Sequence, residues 1–296
     1  MNWQTELQAL GKMDANVSLA PLTTLGVGGK AEWLFRPANQ ESLVKAMGLI
    51  PEDLAIFPLG RGSNLLISDD GITGMVIDLS DLNRLDVSGI QVECGAGVRM
   101  SKLAQTAANH GLSGLEFMAT VPGDLGGGVA MNAGAFEQQV SDVLTSVEIL
   151  NRDGNVQTLS REDLDMRYRY TALPLGALVL SARFELNEDD PEMVRELMRE
   201  MRKKRSDTQP LALPNCGSVF KNPEGDYAAR LIESAGLKGK HVGMASISEV
   251  HANFIVNEGG ASCEDILALI RMARYEVKAQ KGIDLEPEVR LVGCAL

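Results

Sequence analysis

Two glycine-rich runs are the part of this sequence best equipped for chemistry. The first is Leu59-Gly60-Arg61-Gly62-Ser63-Asn64-Leu65, directly after an apolar stretch. Alternating glycines let successive backbone N–H groups converge on an anion, and Ser63 and Asn64 add side-chain donors. At Gly62 the missing Cβ is expected to let a phosphate approach the backbone. The second run is Val121-Pro122-Gly123-Asp124-Leu125-Gly126-Gly127-Gly128, continuing through Asn132-Ala133-Gly134-Ala135. Three successive glycines admit a flat or phosphorylated ligand at backbone distance. The plainer alternative is two glycine turns in a β-rich protein; finding both loops so close together weighs against it.

Other constellations are weaker. Gly95-Ala96-Gly97-Val98-Arg99-Met100 follows a strand and opens a helix, as a dinucleotide fingerprint does. Its sixth position is Met100, where close helix–sheet packing needs a small residue, so no Rossmann site is expected. Cys94, Cys216, Cys263 and Cys294 form no CxxC pair, and His110, His241 and His251 form no HExxH. No metal site is expected, and the cysteines read as free thiols in a reducing cytosol.

The elements that must position these loops follow from periodicity. Residues 31–36, 55–59 and 74–79 read as short strands, with a helix at 41–49 between the first two. A strand at IQVECGAG leads into a helix at about 99–110, stopped by Gly111. From 113 to 137 no pattern holds. Strands resume at 144–150 and about 155–158 around the turn Asp153-Gly154, and 177–186 alternates as a half-buried strand. Pro191 opens a helix to 205 that packs Val194, Leu197, Met198 and Met201. A helix ends near Gly236. Another spans 262–281, with Ser262 and Asp265 as a capping box, Ile266, Leu269, Ile270, Ala273 and Val277 as its stripe, and Gly282 as its stop. EPEVRLVG closes the chain as a short strand. The expected organisation is α+β in three parts: an α/β unit at 1–84, a β-rich unit at 85–190 and an α+β unit at 191–296.

Composition narrows the function classes. With 28 Lys+Arg against 40 Asp+Glu the formal charge is −12, which argues against general nucleic-acid binding. No apolar run approaches the ~20 residues of a membrane helix, and MNWQTELQALGKMD lacks the form of a secretory signal. A cytoplasmic protein with no membrane partner is expected, as a monomer. Anionic ligands would need local positive charge, for which Lys221, Lys238, Lys240 and the cluster Arg202-Lys203-Lys204-Arg205 are candidates.

The ordered set TTLGVGGKAEWLFRP, LGRGSNLLISDDGITGMVIDL, SGLEF…VPGDLGGGVAMNAGA, YRYT, PNCGSVFKNP, ISEVHANFIVN and GIDLEPEVRLVG resembles the UDP-N-acetylenolpyruvoylglucosamine reductase (UDP-N-acetylmuramate dehydrogenase) family from about Leu22 to Gly293. The resemblance implies a vanillyl-alcohol-oxidase-like FAD-binding fold of two subdomains, plus a C-terminal α+β substrate-binding domain whose final strand returns toward the flavin. It implies non-covalent FAD, NADPH as electron donor, and a UDP-sugar substrate whose enolpyruvyl ether is reduced in peptidoglycan precursor synthesis. Carried over by motif, the catalytic positions are Arg169, Ser218 and Glu288. The cofactor-binding positions are Gly60, Arg61, Gly62, Ser63, Asn64, Leu65, Pro122, Gly123, Gly126, Gly127, Asn132, Ala133 and Gly134. Substrate contacts fall on Tyr168, Lys221 and Asn222. Ser218 follows Arg169 by 49 positions, which resembles the shorter subclass, without a tyrosine-loop insertion.

The chain departs from the family pattern at three places. Asp124 stands where a hydroxyl is usual, Glu137 where glycine follows the aromatic, and Thr120 where glycine is common. An acid at 124 would repel a phosphate. His241 and His251 read as polar or structural groups, and Asn253 and Asn257 as satisfied turn residues.

Overall fold

The computed structural model describes residues 3–296. Its contacts divide the chain into two compact units. One comprises the chain up to Ala15, Trp33–Gly60 and Gly74–Arg205; the other comprises Asn16–Glu32, Arg61–Thr73 and Ser206–Leu296.

The first unit is built on a five-stranded antiparallel sheet in the order Val156–Ser160, Leu144–Leu150, Leu178–Glu185, Gln91–Gly95, Leu85–Ser88. The alternation read at 177–186 puts Leu178, Leu180, Ala182 and Phe184 inside, while Arg183 and Glu185 face water. The helix Met100–Asn109 buries Met100, Leu103, Ala104 and Ala107, the spacing the sequence shows. Together with Phe117, Leu125, Val147 and Ile149 these form the larger core. A second core of the unit gathers Phe35, Leu43, Met47, Met75 and Ile77. There Ile56–Leu59 and Ile72–Asp78 run parallel. Asp78 is buried but paired: Arg36 Nε donates to it at 2.9 Å, and that bond holds the guanidinium pKa above its ordinary value.

The glycine run at 95–97 has a packing reason. A Cβ on Gly95 or Gly97 would run into the carbonyls of Leu82 or Leu79, so the chain passes too closely there for any side chain.

The second unit packs Ala228–Ser234 and Cys263–Lys281 against a three-stranded antiparallel sheet of His241–Val242, Ala245–Ile247 and Ile255–Asn257. Both arms of the capping box form: Asp265 N–H donates to Ser262 Oγ at 3.1 Å, and Ser262 N–H to Asp265 Oδ2 at 2.9 Å. Such a cap contributes about 1 kcal/mol. The five stripe residues of this helix are all buried, and Gly282 ends it at φ 73°. Leu65–Ile67, just after the first glycine run, pairs in parallel with Arg290–Val292.

Two readings are corrected, and two elements go beyond the sequence reading. Leu197 is 40% exposed; only Val194, Met198 and Met201 of the helix Pro191–Thr208 are buried. The patternless stretch 113–137 holds a helix, Leu125–Ala130, which three glycines hide from any periodicity. The strand Gly11–Ser18 and the helix Trp3–Gln8 have too mixed a burial pattern to be read from spacing.

Candidate functional site

In the first unit the second glycine loop positions Arg169. Met166–Arg167 and Tyr170–Thr171 pair as a hairpin whose two-residue turn is Tyr168-Arg169. Arg169 has φ +56°, a left-handed conformation that costs a non-glycine residue roughly 1–2 kcal/mol. The surrounding loop enforces it. Arg169 Nη2 donates to the Gly134 carbonyl at 2.9 Å, and its guanidinium lies over the Tyr168 ring, 4.9 Å from the centroid. Asn132 is fully buried, and its Nδ2 donates to the Arg167 carbonyl at 3.0 Å and to Gln139 Oε1 at 3.1 Å. Its Oδ1 accepts from Ser141 N–H at 2.9 Å. Asn132 therefore ties the glycine loop to the base of the arginine hairpin.

The three glycines do different jobs. A Cβ on Gly126 would press on Ala96 and one on Gly128 on Met100 Sδ, so these two serve packing. Gly127 faces open space, with no atom within 4 Å of where a Cβ would stand. It is the position open to a ligand at backbone distance. Gly123, at φ +116°, turns the chain into the helix Leu125–Ala130, while Pro122 lies exposed beside it. Ala133 N–H donates back to Gly128 at 2.8 Å and closes the loop. Asp124 is buried, and its carboxylate oxygen would lie 3.3 Å from a Cβ on Gly60.

Phe136 and Glu137 form the two-residue turn of the hairpin Gly134–Ala135/Gln138–Gln139, at φ 54° and 63°. Glycine is relaxed at such positions and glutamate is not. The basic cluster sits against the same loop. Arg202 Nε lies 3.5 Å from the Ala119 carbonyl, and Lys204 Nζ lies 5.7 Å from the centroid of the Phe136 ring. Burial pushes the Arg205 guanidinium pKa down.

In the second unit Ser218 and Glu288 are brought together. Glu288 N–H donates to the Val219 carbonyl at 2.8 Å, Val289 N–H to the same oxygen at 3.2 Å, and Lys221 N–H to the Glu286 carbonyl at 2.9 Å. The serine segment is thus zipped to the glutamate segment. Asn253, only 4% exposed, clamps it from the other side. Its Oδ1 accepts from Phe220 N–H at 2.9 Å, its Nδ2 donates to the Phe220 carbonyl at 2.8 Å, and its own carbonyl accepts from Val219 N–H at 2.8 Å. Gly217, at φ +77°, turns into Ser218 with open space on its Cβ side.

The first glycine loop joins this framework. Asn64 Nδ2 donates to the Glu288 carbonyl and Arg290 N–H to the Asn64 carbonyl, both at 3.0 Å; Leu65 pairs with Arg290. Gly62 departs from the expected reason for its glycine. At φ +57° its Cβ would meet the Leu22 carbonyl at 2.7 Å and Thr23 Cα at 2.9 Å. That glycine is required by the protein's own chain rather than by a ligand's approach. Arg61 is exposed and Ser63 half-buried.

Among the substrate positions, Tyr168 is 47% exposed, Lys221 pairs with Glu286 at 2.6 Å, and Asn222 Oδ1 accepts from Ala228 N–H at 3.1 Å at the start of its helix. Asn257 bonds Leu25, Gly259 and Ala261 and is structural. His241 lies 3.6 Å from Glu258, and the His251 ring packs edge-on against Phe254. The load-sharing of Asn132 and Asn253 has no signature in the sequence beyond the residue type.

The sheet-based first unit, with its open glycine surface at Gly127, defines an FAD-binding oxidoreductase: residues 31–160 match the FAD binding domain family. The particular family comes from the second unit and from whole-chain relatives. Residues 209–292 match the C-terminal domain of UDP-N-acetylenolpyruvoylglucosamine reductase. The chain is 43% identical to that reductase from Magnetococcus marinus over 94% of this chain and 91% of the relative, and 41% identical to the one from Bacillus subtilis over 96% and 95%. The crystal structure of the Thermus caldophilus reductase matches with a TM-score of 0.83 at 37% identity, covering 95% of this chain and 98% of that one. The chain belongs to the UDP-N-acetylenolpyruvoylglucosamine reductase family. The structure of wild-type Phl p 4.0202, a glucose dehydrogenase, matches 64% of the chain at 12% identity with a TM-score of 0.52, which bears on the fold alone: the vanillyl-alcohol-oxidase-like architecture.

Proposed function

We propose that Arg169, Ser218 and Glu288 are the catalytic side chains with which this FAD-containing, NADPH-dependent oxidoreductase reduces the enolpyruvyl ether of UDP-N-acetylglucosamine enolpyruvate to UDP-N-acetylmuramate. The observation that carries the assignment is the bond from Asn64 to Glu288. It places a residue of the first glycine loop and the Ser218/Glu288 pair in one hydrogen-bonded framework.

Bound FAD supplies a two-electron relay between NADPH and the substrate's carbon–carbon double bond. Gly127 offers the cofactor bare backbone, and Arg202 near the Ala119 carbonyl and Lys204 near the Phe136 ring set positive charge on either side of that loop in sequence, in a chain of net charge −12. As the double bond is reduced, negative charge develops on the substrate carboxylate. Donors already aimed at developing charge give the largest single catalytic contribution. Arg169 offers a planar fork to that carboxylate, and its strained turn fixes the direction of the fork. The adjacent carbon then needs a proton, and the Ser218 hydroxyl delivers it. Glu288 acts on the same charge as a neutral carboxylic donor or by orienting another donor.

Tyr168, Lys221 and Asn222 contact the UDP-sugar in this reading. We also place the chain in the shorter subclass, on the 49-residue spacing, and retain the division into 1–84, 85–190 and 191–296 as a division of labour. A cytoplasmic monomer belongs to the same reading; no described helix is long and apolar enough to cross a membrane.

Steady-state NADPH oxidation with and without the UDP-sugar tests the function, and Arg169→Lys tests the assignment. Lysine keeps the charge and loses the fork. Flavin reduction by NADPH should persist while reoxidation by the sugar slows on the order of 10²–10³-fold. Equal slowing of both halves would remove Arg169 from the mechanism.

A further inference from the structure

Cys263 and Cys294 come from different elements and are held on one short segment of the second unit. Cys263 is the first residue of the helix Cys263–Lys281, and its backbone N–H donates to both carboxylate oxygens of Asp69, at 3.0 and 2.9 Å. Cys294 lies in the tail beyond the strand Arg290–Val292, and its Sγ reaches the Leu66 carbonyl at 3.6 Å. Segment 66–69 thus fixes the backbone of one cysteine and the sulfur of the other. The tail is docked a second time, on the helix that Cys263 opens, where Arg271 Nη2 donates to the Ala295 carbonyl at 3.0 Å. Just before Cys294, Gly293 takes φ +70°, and a Cβ there would meet the Gly71 carbonyl at 3.1 Å and Ser68 Cβ at 3.3 Å.

We propose that Cys263 and Cys294 are a modification site: a dithiol that closes to a disulfide with a peroxide as oxidant, latching the C-terminal tail to the helix Cys263–Lys281.

The two sulfurs have different roles. Cys294 is half-exposed and meets the oxidant; Cys263 is 3% exposed and resolves. Burial, and then Cys294 itself, pushes the Cys263 thiol up, so it keeps its proton until the second step. In the first step Cys294 thiolate attacks one peroxide oxygen. An S–O bond forms, the O–O bond breaks, and the leaving hydroxide takes up a proton to become water. In the second step Cys263 sulfur attacks Cys294 sulfur. The S–S bond forms, the S–O bond breaks, and the departing hydroxide leaves as water with the Cys263 proton. Two thiols and one peroxide become one disulfide and two waters.

The remaining cysteines cannot take the first step: Cys94 is 1% exposed and Cys216 2% exposed, so neither meets the oxidant as the half-exposed Cys294 does. The latch would act on the candidate site, because the tail continues the strand Arg290–Val292 paired with Leu65–Ile67, next to Asn64 and Glu288. Fastening the tail holds that pairing when the surroundings turn oxidising.

The test uses the flavin-loaded full chain treated with hydrogen peroxide in small excess, denatured with an alkylating agent, and read by intact mass and peptide mapping. The expected result is loss of two alkylatable thiols, a mass lower by two hydrogens, a 263–294 cross-linked peptide, return of both thiols with dithiothreitol, and a higher melting temperature for the bridged form. Cys263→Ser should leave Cys294 as a sulfenic acid that dimedone captures. Cys294→Ser, on the half-exposed tail where folding is least at risk, should leave Cys263 fully alkylatable after peroxide. Four thiols surviving in the parent, a bridge involving Cys94 or Cys216, or Cys294 over-oxidised without a cross-link would overturn the site. A bridged form that melts below the reduced one would overturn the latch.

Discussion

Glu288 and Ser218 stand on paired backbone segments, because Glu288 N–H donates to the carbonyl of Val219, the residue after Ser218, at 2.8 Å. Their spacing is therefore set by main-chain bonds and not by the rotamers of two flexible side chains. Asn253 is the buried side chain that keeps the serine segment in that register, through both polar atoms of Phe220.

Asn253→Ala should consequently do more damage than a distant turn residue. It strips partners from a buried N–H and a buried C=O, at about 1–3 kcal/mol for each group left unsatisfied. We expect a lower melting temperature and slower flavin reoxidation by the UDP-sugar, with flavin reduction by NADPH near the parent rate. If half-reaction rates and melting temperature all match the parent, Asn253 does not hold this register.

Glu137→Gly should stabilise the protein. Glu137 is exposed at φ 63° beside Phe136 at 54°, so a turn that suits glycine is filled by a residue that strains it. Relief of roughly 1–2 kcal/mol of left-handed strain is set against the ~0.5–1 kcal/mol entropic cost of a new glycine. A small rise in melting temperature is expected, with FAD affinity unchanged because the side chain points to solvent. A fall would mean that Glu137 makes a stabilising contact outweighing the strain.

Acidification should loosen the clamp through His251. Its Nδ1 accepts from Asn253 N–H at 3.3 Å, which only the neutral ring can do. Burial, first among the causes, lowers its pKa; Lys238 lowers it further, while Glu233 works the other way. A lowered folded-state pKa means the unfolded chain takes the proton first. The contribution is present above the unfolded value of about 6.5 and is lost as pH falls from there through the folded pKa. Melting temperature should therefore drop as pH falls below about 6.5 in the parent, and less in His251→Asn. Identical pH profiles would show that His251 is not the titrating group.

Much of this was legible in residue order. The stripe and cap of Cys263–Lys281, the alternation at Leu178–Glu185 and both glycine loops announce themselves, because each is a local pattern. What failed were features decided by long-range contact. Leu197 fits a helical stripe, yet it stays 40% exposed. The helix Leu125–Ala130 is made of residues with poor helical preference and is held by Ala96 and Met100. Gly62 looked like room for a ligand, whereas its missing side chain makes room for Leu22 and Thr23. Arg169 shows the converse: its left-handed turn is invisible in the sequence, and it is imposed by Asn132 and Gly134 from a loop more than thirty positions earlier.

Ser218 separates electron transfer from proton transfer. Gly217 takes the left-handed turn and Val219 and Phe220 carry the main-chain bonds, so the Ser218 side chain is not needed to hold the segment. Ser218→Ala should fold, bind FAD and be reduced by NADPH like the parent. Turnover of the enolpyruvyl substrate should fall ~10²–10⁴-fold, the span for a positioned general acid. Ser218→Cys should retain more activity than alanine, since a thiol still donates a proton and its pKa of ~8.5 lies well below that of a hydroxyl. The measurement is single-turnover reoxidation of reduced FAD by the UDP-sugar, with deuterium in the product followed in D₂O. If the alanine variant reoxidises flavin and forms product at the parent rate, the proton comes from water or another side chain. The pairing of Ser218 with Glu288 would then be a structural feature of the strand junction, and the acid would have to be sought elsewhere.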